Sequence, residues 1–232
     1  MSDGADKKSM IMPATPSMAA VAMTVESIDL GPYTVELARP AKPDELLDLP
    51  EVAEAYAKDE YMPYWATLWP VARRLASVVA TTQWAPGLTA IELGCGLGLP
   101  GVAALKAGMK VTFTDYDETA LRFAADNARR NGGGEFELQA VDWRAPPARA
   151  YDVILASDLL YERRNVEPLV ESFKTLIAPN GLAMVADQNR AFADNFRAAL
   201  DAAEFQHISH GFLVKLPDGR EVNGTIYLIR RS

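Results

Sequence analysis

Hydrophobic and polar positions change period several times along this chain, and each change marks an element. Over 23–39, MTVESIDLGPYTVELAR, apolar and polar residues alternate on either side of Gly31-Pro32, which predicts a β-hairpin. Residues 40–62 are acidic and proline-bearing, with a helical stretch expected around 44–58. The aromatic segment YMPYWATLWP follows at 61–70, and VARRLASVVATT places its apolar residues at helical spacing. Pro70 suits the first turn of that helix, where its missing N–H costs little. From residue 89 the order is regular: strand 89–93, a helix near 98–107, strand 110–114, helix 117–131 and strand 135–141. An alanine- and proline-rich link with room for only a short helix leads to strand 151–157. Helix 164–178 stops at Pro179-Asn180-Gly181, ahead of strand 182–187 and helix 190–203. The end, HGFLVKLPDGREVNGTIYLIRR, reads as two strands joined at Pro217-Asp218-Gly219. Alternating strands and helices predict an α/β fold: a mostly parallel sheet with helices on both faces and antiparallel strands added at one edge.

Length and composition narrow the classes. At 232 residues the chain can bury one sizeable core, not comfortably two. We expect a flexible tail over 1–22, an extension over 23–62 and the main domain over 63–232. A net charge of −8 argues against broad nucleic-acid binding, which favours basic faces. One cysteine, Cys95, excludes an internal disulfide framework and suits a reducing, cytoplasmic setting. It reads as a small residue in a tight turn. With only His207 and His210 beside that cysteine, no metal site is expected. No run approaches the roughly 18 apolar residues of a membrane span. Lys7-Lys8 ahead of SMIMPATPSMAAVAM looks faintly like a signal peptide, but Pro13 and Pro16 interrupt it and Asp3 and Asp6 weaken its start.

The densest chemical signal is LTAIELGCGLGLPG at 88–101, an apolar run ending in an acid and followed by four glycines. A strand that stops at such a turn and reopens as a helix brings bare backbone and a positive field close to a ligand. Gly96, Gly98 and Gly101 fit the GxGxxG dinucleotide pattern, with Asp115 standing where a ribose-binding acid belongs. Glu92, Gly94, Gly96 and Gly98 equally fit the acid-x-Gly-x-Gly-x-Gly pattern of S-adenosyl-L-methionine (SAM) enzymes, and Gly94 directly after the strand favours this register. SAM carries a ribose diol, an adenine, a sulfonium and an amino-acid end, but no pyrophosphate. Asp115 in VTFTDYD is placed to accept the ribose hydroxyls, and Asp142-Trp143 to meet the adenine.

With these pieces together, residues 61–187 resemble the seven-β-strand class I SAM-dependent methyltransferases. More narrowly they are similar to the lysine-methyltransferase branch of the methyltransferase-like proteins and its bacterial relatives. The resemblance rests on PYWATLWP, IELGCGLGLPG, TDYD, Asp142-Trp143 and SDLLY, whose Asp158-x-x-Tyr161 is the motif after strand four of that branch. It implies a Rossmann-like seven-stranded sheet with a C-terminal antiparallel hairpin. It also implies that Trp69 lines the cofactor and that Gly94, Gly96 and Gly98 pass beneath it. Glu92 would hold the turn and the methionine end, Asp115 and its neighbour Tyr116 the ribose side, and Asp142 and Trp143 the adenine. Ser157 and Asp158 would face the methyl group, with S-adenosyl-L-homocysteine as product.

For an amine acceptor the nucleophile must be neutral, so a lysine must lose a proton before or during docking. Asp158 and Tyr161 are the candidate catalytic pair, the first holding the ammonium and the second orienting the nitrogen. The aromatic residues at 61, 64 and 65 could wall the channel. Desolvation lowers a lysine pKa while an adjacent carboxylate raises it, so Asp158 reads as a positioning group rather than a strong base. The expected function is methyl transfer to an amine, foremost a protein lysine. A small-molecule N- or O-methyltransferase of nicotinamide-like substrates, a non-catalytic SAM-binding protein and a nicotinamide-dinucleotide oxidoreductase stay open as alternatives. The methyl acceptor and the oligomeric state are not readable from the residues.

Overall fold

The computed structural model describes residues 21–59, 61–142, 145–216 and 218–232. Strands β1 (Met23–Asp29) and β2 (Thr34–Pro40) pair antiparallel around Gly31, as their alternation predicts. Val35 and Leu37 of β2 turn inward and are fully buried, while Met23 and Val25 of β1 face outward. A 3-10 turn over Pro43–Asp48 and helix α1 (Pro50–Asp59) occupy the expected helical stretch. Of the expected 1–22 tail, all but Val21 and Ala22 lies outside the described residues. The Ala22 carbonyl accepts the Ala41 N–H at 2.8 Å, so the hairpin pairing reaches that far.

Helix α2 (Pro70–Thr81) does open on its proline, with Trp69 at the cap position. Then follow β3 (Thr89–Leu93), α3 (Leu99–Lys106), β4 (Lys110–Asp115), α4 (Glu118–Arg130), β5 (Phe136–Ala140), β6 (Tyr151–Ser157), α5 (Val166–Leu176), β7 (Ile177–Asp187), α6 (Ala193–Ala202), β8 (Gln206–Lys215) and β9 (Glu221–Arg230). The seven-stranded sheet runs β5-β4-β3-β6-β7-β9-β8, parallel through β7. The closing hairpin is antiparallel, and its last strand, β9, inserts against β7 so that β8 becomes the edge.

Alternation along the central strands divides the core in two. Ala90, Val153 and Leu155 point to the side of α2, α3 and α4, where they share one cluster with Ile28, Val35 and Leu37 of the hairpin. Ile91, Leu93, Ile154 and Ala156 point to the opposite side, against α5 and α6. Both faces of β3 and β6 are therefore dry, as parallel strands require. The strand β7 differs from its expected start. Ile177 already pairs with Tyr151, and Pro179-Asn180-Gly181 forms an excursion before Leu182 resumes pairing with Val153. The proline and glycine interrupt the ladder inside the strand instead of preceding it. Helix α5 accordingly stops at Leu176.

Sheet order reverses between β3 and β6, because the chain leaves β3 towards β4 and returns through β6 towards β7. A crevice forms at the carboxyl ends of strands at such a point. Behind it, α3 packs closely against β3 and β4. A Cβ on Gly101 would stand 2.3 Å from Phe113 Cε1 and 2.5 Å from Glu92 Oε2. Helix propensity alone favours Gly101→Ala by up to about 1 kcal/mol, yet overpacking here costs about 1–3 kcal/mol. We expect urea denaturation to show G101A destabilised. Gly211→Ala, at an open position on β8, should stay within about 0.5 kcal/mol of wild type.

Candidate functional site

A cleft of ≈ 290 Å³ lies at this reversal point, walled by the turn after β3, the ends of β4 and β6, the segment before α2 and one residue beyond β7. Its floor is the turn Gly94–Gly98. Gly94, Gly96 and Gly98 have φ of 57°, 50° and 78°, a region that side chains avoid. A Cβ on Gly96 would also press to 3.3 Å from the Trp65 carbonyl oxygen. The cleft floor is therefore bare backbone by necessity, and α3 begins directly behind it.

Asp115 ends β4 and lines the cleft. Its Oδ2 accepts the Gly96 N–H at 2.9 Å and its Oδ1 accepts the Asp117 N–H at 3.0 Å. The Tyr116 backbone N–H also favours the charged carboxyl, which as a carboxylate is an acceptor only. Burial pushes the carboxyl up from 3.8 to about 6, against the pull of those N–H groups. Beneath it a further chain of bonds holds the strand end: Asp117 caps α4 through the Thr119 N–H at 2.7 Å and accepts the Tyr61 hydroxyl, which takes the Trp65 indole N–H at 3.2 Å.

Asp158 stands opposite, just past the end of β6, with the rare backbone φ of 58°. Its Oδ1 accepts the Gln188 side-chain amide at 2.8 Å and the Arg190 guanidinium at 3.1 Å. Its Oδ2 is buried without a hydrogen-bond partner. Desolvation outweighs both of those donors and raises this carboxyl also to about 6. Tyr161 lines the same wall with its ring centroid 5.5 Å from that of Tyr64, and burial lifts its phenol to about 12.

The other expected residues separate into those at the cleft and those away from it. Trp69, Tyr116 and Ser157 line it, and so do Tyr64 and Trp65. Tyr116 has its phenol raised chiefly by burial. Glu92 does not reach the cleft surface: it lies under the turn, 1% exposed, with Oε2 accepting the Gly101 N–H at 2.9 Å. Burial drives its carboxyl well above the ordinary range, so it braces α3 against β3. Tyr61 is likewise behind the wall, on Asp117. Asp142 is half-buried beyond β5 and is not among the cleft-lining residues, and Trp143 lies outside the described residues. Cys95 is buried at the turn with its thiol raised by desolvation and by Asp115 and Glu92, which keeps it protonated and unreactive. Among the described residues no group of acids, histidines and cysteine could hold a metal ion, and no helix is long and apolar enough to cross a membrane.

Sequence reasoning passed over three residues of this site: Asp187, Gln188 and Arg190, in the DQNR that follows β7. By its pattern the segment is only the end of a strand and the start of a helix. Arg190 lines the cleft, grips Asp158 and lies over the Trp69 ring at 5.2 Å. A mixed acid, amide and cation run immediately beyond a buried parallel strand was the available signal.

Comparison with known proteins places these features in a family. A family model described as lysine methyltransferase matches residues 67–202, more than half of the chain. The ribosomal protein L11 methyltransferase of Vibrio campbellii is 38% identical over 100 residues, covering 42% of this chain and 33% of that protein. The histidine protein methyltransferase 1 homolog of Dictyostelium discoideum is 31% identical over 113 residues, 46% of this chain and 37% of its own length. The chain thus spans about a third of the length of these curated relatives. A solved structure of the ribosomal protein L11 methylase from Lactobacillus delbrueckii subsp. bulgaricus superposes with a TM-score of 0.60 at 19% identity, covering 89% of this chain and 100% of that one. At that identity the likeness concerns the fold.

The two raised carboxylates make stability depend on pH in a defined direction. Between 3.8 and about 6 the folded chain holds protons on Asp115 and Asp158 that the unfolded chain has released. Each group therefore adds stability as pH falls from 7 towards 5, and that contribution is lost as pH rises through 6. For Asp158 the change over this range amounts to about 1 kcal/mol. Urea titrations at pH 7 and pH 5 should show Asp158→Asn gaining about that much relative to wild type on going to pH 7. A pH-independent difference would contradict the raised pKa.

Proposed function

Because the chain belongs to the lysine methyltransferase family, we propose that it is a SAM-dependent methyltransferase acting on an amine, foremost the side chain of a protein lysine. One observation carries this reading: the acceptor-only carboxylate of Asp115, the bare glycine turn and Asp158 meet around one cleft at the sheet's reversal point. The residues fit the cofactor. Gly94, Gly96 and Gly98 carry the positive φ that shapes the turn under the cleft, and the Asp115 carboxylate, an acceptor only, suits a ribose diol. Of the ionisable groups on the cleft, Asp115, Asp158 and Glu162 are acids and Arg190 is already engaged by Asp158. That balance suits a cation and disfavours the pyrophosphate of a dinucleotide.

When bound, SAM supplies a methyl group on a sulfonium that leaves as a neutral thioether. The chain's contribution is alignment and exclusion of water, which can account for a large part of such a rate enhancement. Asp115 holds the ribose side, with Trp69 and Tyr116 as walls. Asp158 receives the acceptor's ammonium at the far side of the same cleft. A free lysine holds its proton to pH ~10.4, far above the Asp158 carboxyl, so Asp158 anchors the amine without efficiently deprotonating it. The aromatic wall of half-buried Tyr161 and Trp69 with the exposed Tyr64 disfavours the charged form and lowers the amine pKa, so that the proton can leave to water. The names of the curated relatives, on ribosomal protein L11 and on histidine protein methylation, support a protein acceptor.

Two measurements test the reading. Calorimetry with S-adenosylhomocysteine at pH 7.5 should give saturable binding that Asp115→Asn weakens by about 10–100-fold, the loss of one or two charge-assisted hydrogen bonds. In a cell extract supplied with methyl-labelled SAM, label should enter protein, and Asp158→Asn should lower that transfer at least about 10-fold while binding S-adenosylhomocysteine. Label confined to the low-mass fraction would replace the protein acceptor by a small molecule. Tighter binding of NADH than of S-adenosylhomocysteine would remove the cofactor assignment.

A further inference from the structure

Three buried side-chain atoms among the described residues lack a hydrogen-bond partner, and two of them belong to one cluster: Asp158 Oδ2 and Asp187 Oδ1. Asp187 is fully buried at the end of β7, and its Oδ2 accepts the Arg190 backbone N–H at 2.7 Å. Its Oδ1 lies 3.9 Å from Arg190 Nε, within ion-pair reach but unbonded. The same guanidinium is bonded to Asp158 Oδ1 at 3.1 Å. One partly exposed cation thus stands between two buried carboxylates, each with an acceptor oxygen to spare. Arg190 also has a third support that does not depend on either acid, because its guanidinium lies over the face of Trp69 at 5.2 Å.

A buried carboxylate oxygen without a partner is costly, and two of them beside one cleft point to a missing donor. Resting on the amine acceptor proposed above, we infer that Asp158 and Asp187 form an acceptor-cation subsite with Arg190 as its placeholder. In the free chain the guanidinium neutralises Asp158. When an alkylammonium enters, Arg190 shifts its bonds to Asp187 while staying on Trp69, and the ammonium takes its place on Asp158. The arrangement has two discrete states: in the free one the guanidinium is bonded to Asp158 alone, and in the loaded one each acid has a cation of its own. Arg190 therefore acts as a competitor of the acceptor and Asp187 as the group that receives the competitor. This is the opposite of a role in which Arg190 merely props Asp158 in position, where its removal would weaken acceptor binding.

The test uses the full chain saturated with S-adenosylhomocysteine and n-butylammonium as a mimic of the lysine side chain, its dissociation constant read by NMR titration. Arg190→Ala, and independently Arg190→Gln, should bind the probe about fivefold more tightly than wild type, because the competing cation is gone. Asp187→Asn keeps an acceptor for the Arg190 N–H but removes the receiving charge, and should bind it about fivefold more weakly. In the Arg190→Ala/Asp187→Asn double variant the Asp187 effect should largely vanish, since there is no guanidinium left to receive. Unchanged or weaker probe binding in both Arg190 variants, or equal Asp187 effects with and without Arg190, would overturn the placeholder. So would failure of every loaded variant to bind the probe. Failure to load with S-adenosylhomocysteine at all is a different result, and it would overturn the cofactor reading itself.

Discussion

The bond pair made by Asp115 is the constraint on which the rest of the site depends. Strands β3 and β4 are parallel neighbours whose bonding reaches the turn at the Cys95 N–H, on the Thr114 carbonyl at 2.9 Å, and beyond it the path needs a further restraint. Asp115 supplies that restraint by accepting one N–H from the turn, at Gly96, and one from its own chain, at Asp117. The turn can obey because glycine tolerates the positive φ that brings Gly96 N–H round to the carboxylate. The cost is a negative group held in a dry position, visible in its raised pKa. The acid is thus pinned at the mouth of the turn while still lining the cleft.

The N-terminal hairpin is joined to this turn through side-chain amides. Asn127 on α4 accepts the Ala38 N–H at 2.7 Å and donates to the Ala38 carbonyl at 3.1 Å. One turn further on, Asn131 does the same with Glu36, at 2.9 and 2.8 Å. The two amides act as a surrogate strand along the free edge of β2, whose backbone groups would otherwise be unpaired. Asn127 also donates to the Leu97 carbonyl at 2.9 Å, inside the glycine turn. Hairpin, helix and cleft floor consequently share one fully buried residue. The hairpin's apolar side belongs to the same core cluster as α2, α3 and α4.

Pattern was enough to recover nearly every strand and helix, because both faces of the central strands are buried and helices such as α2 and α4 each bury one stripe, while α3 is buried on all sides and follows from its place after the glycine turn. The strand at 89–93 and the proline-led helix at 70–81 follow directly from their patterns. The start of β7 did not, since Pro179 and Gly181 are local breakers and only the tertiary pairing of Ile177 with Tyr151 recruits residues ahead of them. The glycine turn and Asp115 were legible because each sits one step beyond a strand. Glu92 was legible as an acid of the motif, but its side of the strand was not: β3 is buried on both faces, so alternation gives no hint that Glu92 points with Ala90 towards α3. Arg190 and Asp187 were hidden for another reason. Their significance arises only when the end of β7 is laid beside the end of β6, some thirty positions earlier.

The two carboxylates that face each other across the cleft, Asp115 and Asp158, are held by different kinds of bond. On the β3–β4 side the fixing contacts run from side-chain carboxylates to backbone N–H groups, at Gly96, Asp117 and Gly101. Those contacts set the chain's path, so a substitution there disturbs the turn and the packing of α3 together. On the β6–β7 side the backbone of Asp158 is tied to Ala186, but its carboxylate is held by the side chains of Gln188 and Arg190. Side-chain pairs can be exchanged without moving the sheet. The fold therefore fixes the carboxylate of Asp115 through the path of the backbone and that of Asp158 through side chains, and fold likeness at 19% identity does not extend to either set of contacts.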